Sequence, residues 1–418
     1  MFNPLTGMKN FIAKQSRNYR ILLVRQAGNS FIDGLTRQFG VLYESFLGAN
    51  PTDIGFLSSL SSAFSAIISM PSGWLVDRYS LKKLLGISMY AASLSLIIYA
   101  LATDWKLLIP AIIINSLLCG GSGVSSIWAS GNLLTSVSQI YMVNSLRDED
   151  RARGLAISLV LSSVGGLVMP ILSAYLITQF GGFSAEGIRP LFYLSLVLSL
   201  PFTTLIFLKL DKENTPPVPR ATPLSFLKDY RAVFTGEKYL KRLIVSVCTR
   251  KFVLAMSLPF TTLFMFEKQA TPLIFGFSGV IRTLIVMLFS LPVGHLADSL
   301  GRKKTLFLLR PLMYIEALSL VLAPSPEWFL LYVALTGFPY EQITWDTFIL
   351  EFVPPEKRGR WNGLLNFFIS IVTVLAPVIG GLIYQYQPWL VFIIPIIADL
   401  IIRVPILISL PETLKKNR

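Results

Sequence analysis

Charged side chains are scarce in this chain. They make up 14% of its 418 residues, against 53% hydrophobic, and the mean hydropathy is +0.62. Soluble domains carry roughly a quarter charged residues. So much apolar surface does not fit inside one water-soluble core, and the solvent it implies is a bilayer. Cysteine occurs twice, as Cys119 and Cys248, both in apolar runs and expected as buried thiols; histidine occurs once, as His295. Two cysteines and one histidine exclude a Cys/His metal cluster. Also missing are metal-ligand spacing, a nucleophile motif, a haem ligand set and the Gly-x-x-x-x-Gly-Lys-Ser/Thr phosphate loop. An enzyme and an ATP-driven pump lose their support together, and no cofactor or metal is expected. No cleavable signal peptide is expected either, because the first residues are polar and basic and the apolar run behind them is too long.

What is present is a series of long apolar runs. A spanning helix needs about 20 mostly apolar residues, and twelve candidates are legible: 20–47, 52–76, 83–103, 107–131, 154–179, 190–209, 243–266, 272–297, 304–323, 328–352, 362–385 and 389–410. The fourth continues in character through Leu133-Leu134 and Ile140-Tyr141-Met142-Val143, which predicts a helix projecting past the membrane. The fold expected is all-α, twelve transmembrane helices in two six-helix bundles.

Acids are fewer than bases, 23 against 37, for a net charge of +14. Placement explains the excess. The loops after odd-numbered spans hold three cations, Lys106, Arg189 and Lys268, and most of the others lie in the tails and the alternate loops. That asymmetry places both termini in the cytoplasm by the positive-inside rule and reads as topology rather than nucleic-acid binding. The longest polar stretch, 211–242, opens with Pro216-Pro217 and Pro219, then alternates Phe226, Tyr230, Val233 and Phe234 with Lys and Arg. It is expected as a linker with an amphipathic helix on the inner leaflet, between an N-terminal bundle over 1–210 and a C-terminal bundle over 243–418.

Two pairs of segments repeat. Gly73-Trp74-Leu75-Val76-Asp77-Arg78 with Lys82-Lys83 matches Gly294-His295-Leu296-Ala297-Asp298-Ser299 with Gly301-Arg302-Lys303-Lys304, 221 positions later. Arg151-Ala152-Arg153-Gly154 with Pro170 matches Arg358-Gly359-Arg360-Trp361 with Pro377, 207 positions later. Two matches in the same order indicate duplication. The 14-residue difference fits the longer fourth span of the first half.

The turn after the second span resembles the signature of the major facilitator superfamily, Gly-x-x-x-Asp-Arg-x-Gly-Arg-Lys. Gly73, Asp77, Arg78, Lys82 and Lys83 match, while Ser80 and Leu81 depart; the second copy keeps Gly294, Asp298, Gly301, Arg302 and Lys303 and has Ser299 for Arg. The resemblance covers the whole chain. It implies two six-helix bundles around a central cavity lined by spans one, four, seven and ten, and alternating access by rocking of the halves. Glycine permits close helix approach. An aspartate at a helix end can accept from a neighbouring helix N-terminus and pair with arginine, so a cytoplasmic latch is expected with Arg153 and Arg360 as partners. The patterns of drug–proton antiporters match less fully. Asn115 lies near the arginine position of span four; in span five Gly165 and Pro170 match, but Met169 and Ser173 replace glycines.

Ionisable groups at membrane depth are costly and point to the solute path. Asn29, Asp33 and Arg37 recur at i, i+4, i+8 on one face of span one. Span ten carries Glu341, Gln342, Trp345 and Asp346, and span eight a lone Arg282 whose partner must come from another helix or an anionic solute. Asp33, Glu341 and Asp346 are candidate proton carriers, with Arg37 and Arg282 tuning them. Asp399 with Arg403, and Arg310 with Glu316, are expected as structural pairs; Arg250 and Lys251 are expected to snorkel.

The function expected is secondary active transport of a small solute across the cell membrane, proton-coupled, by a multi-pass protein acting as a monomer. Export by antiport leads. Proton-coupled import or exchange of an organic anion is the alternative, and a transport-inactive receptor or scaffold is the rival of another class.

Overall fold

The computed structural model describes residues 4–119, 133–211, 239–339, 341–353 and 358–413. It is all helical, with no strand among the described residues. Two compact units are formed, one from Met1–Ala49 and Leu60–Val218, the other from Asn50–Ser59 and Pro219–Arg418.

In the first unit, α1 (Pro4–Lys14) precedes α2 (Arg17–Thr36), whose N-terminal amides are capped by the Ser16 hydroxyl accepting from the Tyr19 N–H at 3.2 Å. Then come α3 (Gly40–Phe46), α4 (Pro51–Arg78, its first turns belonging to the second unit), α5 (Leu81–Leu101) and α6 (Leu108–Ile114), which runs into a π turn over Asn115–Cys119. The unit ends with α7 (Leu133–Asn144), α8 (Arg151–Gln179) and α9 (Ala185–Lys209). Helix α2 packs most extensively on α8. Glycine makes that possible: a Cβ at Gly165 would overlap Ser30, and one at Gly34 would press on the Met169 side chain.

In the second unit, α10 (Leu240–Glu267), α11 (Pro272–Leu300), α12 (Arg302–Val321) and α13 (Phe329–Thr336) lead to a π turn over Glu341–Trp345 and the short α14 (Asp346–Glu351). After α15 (Arg358–Tyr386) comes α16 (Leu390–Ala398), a π turn over Asp399–Arg403 and α17 (Val404–Ser409). Here α10 packs most extensively on α15, and a Cβ at Gly380 would overlap the Met256 carbonyl. Gly301, at φ 103°, makes the turn between α11 and α12 that an L side chain resists.

The duplication read from motifs is present in the helix boundaries. Leu108 and Phe329 open matching helices (329 − 108 = 221), each preceded by a short 3-10 turn, Trp105–Leu107 and Pro326–Trp328. Arg151–Gln179 and Arg358–Tyr386 match at both ends (358 − 151 = 207 and 386 − 179 = 207).

Seven helical stretches among the described residues are long and apolar enough to cross a membrane: 81–101, 153–179, 185–209, 240–267, 272–300, 364–386 and 390–409. The other five expected spans are not among these stretches, and spans two and four run over residues outside what is described. Span one breaks at a turn over 37–39, span ten is interrupted after Thr336, and span nine carries Lys304, Arg310 and Glu316. Span two is one 28-residue helix rich in serine, and span four leaves the described residues after Cys119. The amphipathic segment expected within 211–242 also lies largely outside them. Large apolar side chains point outward, including Leu291, Tyr386 and Leu208 at 84%, 81% and 73% exposure. A water-facing surface does not tolerate many of these; hydrocarbon does.

Helix α1 was not expected from the polar, basic start of the chain. It docks through Phe11, buried beneath the Arg153 guanidinium 4.7 Å from its ring centre, and through Gln15, whose amide donates to Asp150 Oδ2 at 2.9 Å. The Gln15 amide first, then Arg147 at 3.0 Å, holds the Asp150 carboxyl below the usual aspartate range. A depressed carboxyl stabilises the fold above its unfolded pKa, and that contribution disappears as pH falls through the folded value. Hydrogen-exchange protection of Pro4–Lys14 is therefore expected to drop below the usual aspartate range, and to be low at every pH in Asp150→Asn. A pH-independent profile in the unaltered protein would count against this clamp.

Candidate functional site

The second unit buries a continuous charged network. Glu341, opening the π turn, is its hub: Arg250 Nε stands 2.5 Å from Oε2 and Arg403 Nη2 donates to Oε1 at 2.9 Å. Arg403 Nη1 donates to Asp399 Oδ1 at 2.9 Å, and its guanidinium lies 5.3 Å from the centre of the Trp345 ring. Asp399, 1% exposed, also accepts two hydrogen bonds from Arg310, at 2.6 and 2.5 Å, and one from the Tyr314 hydroxyl at 2.7 Å. Helices α10 and α12 supply Arg250, Arg310 and Tyr314; two π turns supply the rest. A π turn inserts one residue and often marks a functional site.

Three guanidinium groups thus face two carboxylates. Arg310 is held on two sides by Asp399 and Arg403 bridges both carboxylates, its Nε having no partner among the described residues, whereas Arg250 engages Glu341 alone, through its Nε side. Glu316 on α12 lies within electrostatic reach of Glu341, Arg282 and Arg250.

Several expectations change here. Arg310 pairs with Asp399 rather than Glu316, because the bidentate geometry lies across helices, not along one. Arg250 turns inward to Glu341 instead of snorkelling, since a buried carboxylate there demands a counter-charge. Trp345 is buried, 1% exposed, and packs with Phe348 and Trp361 in the core, so it supports Arg403 rather than an open cavity. Arg282 is exposed on α11.

In the first unit, Asn29 donates to Asp33 Oδ2 at 2.9 Å, which leaves Oδ1 without a partner among the described residues. Arg25, 4% exposed, donates to Ser138 at 2.7 Å. Arg25, Asn29, Asp33 and Thr36 line a cavity of ≈ 30 Å³ with Ser199 and Thr203 of α9 and apolar groups of α5. It has room for water, which needs roughly 10–15 Å³ and polar partners. The sequence singled out Asn29 and Asp33 but missed Arg25, which lies two turns upstream of Asp33 in the same helix. Arg37 lies just past the helix end, exposed. Asn115 is buried and accepts from Ser95 at 2.9 Å, so its carbonyl is already engaged.

Of the expected latch, Arg302 pairs with Asp298 at 3.1 Å and with Glu351 at 3.0 Å, so the second aspartate finds its arginine within its own motif. Lys303 donates to the Ile408 carbonyl at 2.9 Å. A Cβ at Gly294 would meet open space, so no close helix approach requires that glycine. Lys82 lies over the Phe207 ring, Lys83 is exposed, and Arg153 covers Phe11. The side chains of Asp77, Arg78, Gln342, Asp346 and Arg360, and the surroundings of Gly73, lie outside what is described.

The sequence profile described as Major Facilitator Superfamily matches residues 26–270 and 243–418. The chain belongs to the Major Facilitator Superfamily. It is an integral, multi-pass membrane protein and a secondary transporter rather than an enzyme. Solved structures share the fold at low identity. The nucleoside transporter NupG matches with a TM-score of 0.71 at 16% identity, over 95% of this chain and all of its own. A bacterial homologue of the human lysosomal transporter Spinster, inward-facing and unoccupied, matches at 0.65 and 15%, over 89% of this chain and 84% of its own. A POT family transporter in complex with 5-aminolevulinic acid matches at 0.71 and 12%, over 94% and 96%. No curated protein matches the sequence significantly.

Proposed function

We propose that this superfamily member is a proton-coupled transporter of a small solute bearing an anionic group. It works by alternating access between two halves, 1–210 and 243–418, joined through 211–242, with twelve crossings and both termini in the cytoplasm. The observation that carries the proposal is Glu341 held between Arg250 and Arg403. Protonating Glu341 weakens its hold on both arginines; Arg403 stays anchored by Asp399, whereas Arg250 is released. The freed guanidinium then presents a bidentate fork to a carboxylate or similar planar anion. Proton and anion load together, so the geometry favours symport of an organic anion over antiport. The 5-aminolevulinic acid of the POT structure, a carboxylate-bearing solute, supports the same class. Asp33, one oxygen unpartnered beside a cavity that admits water, is proposed as a second proton site.

The test is flux in proteoliposomes containing a pH-sensitive dye, under an imposed proton gradient, with a panel of small carboxylates. Solute and protons are expected to enter together. Asp33→Asn is expected to abolish pH-driven flux while melting as the unaltered protein does. Full proton coupling in that variant removes Asp33 from the mechanism. Protons moving against the solute replace symport with export.

A further inference from the structure

One end of the first unit gathers α1 and the termini of five other helices around a shared core that includes Phe11, Tyr19, Leu81, Tyr141, Leu146 and Leu210. Helix α1 is two-sided here. Phe11 is buried, as is Gln15 just past the helix end, and Met8 and Ile12 pack on the core, while Lys9, Asn10, Ala13 and Lys14 are exposed. The exposed cations continue as Arg17 and Arg20 on the first turn of α2, Lys83 on α5 and Lys209 at the end of α9. Nearby acids are engaged: Asp150 by Gln15 and Arg147, and Asp211 by Arg17 across 3.8 Å. Glu149 is exposed as well, and the side chain of Asp148 lies outside what is described. Beyond the far end of α5 the exposed charges are mixed, Asp104 with Lys106. The 21 residues of α5 span about 32 Å at about 1.5 Å per residue, the thickness of a hydrocarbon core. The basic end therefore lies at headgroup level.

We infer that α1 and the first turn of α2 form a binding surface for anionic phospholipid, with Lys9, Lys14, Arg17 and Arg20 contacting the phosphates. A docked amphipathic helix with an outward basic face is the arrangement that holds charged headgroups. Charge complementarity decides the occupant: the face presents cations, the acids within reach are mostly committed, and the adjoining helices are apolar.

The experiment uses the full chain in neutral detergent, stripped of lipid and titrated with phosphatidylglycerol or phosphatidylcholine, with bound lipid counted by native mass spectrometry. Preferential retention of phosphatidylglycerol is expected. In the variant combining Lys9→Gln, Lys14→Gln, Arg17→Gln and Arg20→Gln, its affinity is expected to fall roughly fivefold per charge removed. Lys106→Gln is expected to leave it unchanged. Replacing Lys9 and Lys14 by arginine keeps the charge and should keep the preference. Equal retention of both lipids by the unaltered protein, or unchanged phosphatidylglycerol affinity in the fourfold variant, overturns the assignment. If the fourfold variant melts lower, Lys9→Gln and Lys14→Gln singly give the same reading on a folded chain. Since no flux is measured, this surface can fail without touching the proton-coupling proposal, and the reverse holds.

Discussion

Asp399→Ala is expected to destabilise the protein by about 3–5 kcal/mol, the range for removing one partner of a buried ion pair. Four hydrogen bonds end on that carboxylate, two from Arg310 and one each from Arg403 and Tyr314. Without it, Arg310 is left buried without its acid and Arg403 keeps only Glu341. Small alternatives are unavailable, because Asp399 is almost fully enclosed and water does not easily take its place. For a unit of this size about 1 kcal/mol corresponds to a 2–4 °C shift in melting temperature, so a drop on the order of 10 °C is expected in detergent. Replacing the whole group, Arg310→Met with Asp399→Leu and Arg403→Met, should recover much of that loss, since the cost lies in stranded charge rather than in lost attraction. An Asp399→Ala protein melting with the unaltered one would show that these charges find other partners.

Glu341→Gln is expected to separate folding from coupling. Glutamine keeps the shape and one oxygen acceptor towards Arg403, so the stability cost is modest, roughly 1–3 kcal/mol. The exchangeable proton is gone and Arg250 is permanently released. Flux driven by a pH gradient should vanish, while solute-for-solute exchange at equal pH continues. If instead exchange and pH-driven flux decline in parallel, Glu341 holds the site together and does not carry the proton. Arg250→Gln is the complementary case. It should lose exchange as well, because the fork for the anion is absent.

The architecture was legible because it is written in periods and repeats. Apolar runs, the 221- and 207-position offsets and the motif residues lie along the chain, and helix boundaries reproduce both offsets. The Asp399–Arg403 pair was readable for the same reason: i and i+4 meet on one helix. Arg250 with Glu341 was not, since 91 positions separate them and nothing local says which helices will face each other. Glu316 looked like the partner of Arg310 because it was near in sequence, yet Asp399 across the unit provides the bidentate fit. Arg25 was overlooked as one cation in a basic-to-apolar transition. Its burial follows from Ser138, contributed by α7.

The π turns carry a consequence for how this sequence can change. Each fits five residues where an α-helix would fit four, so everything downstream is rotated by about 100° relative to an unbroken helix. Loss of a single codon within Glu341–Trp345 would let the backbone relax to ordinary pitch and swing α14 away from its present neighbours. Insertions and deletions are thus barred from these short windows, Asn115–Cys119, Glu341–Trp345 and Asp399–Arg403, even where substitutions are tolerated.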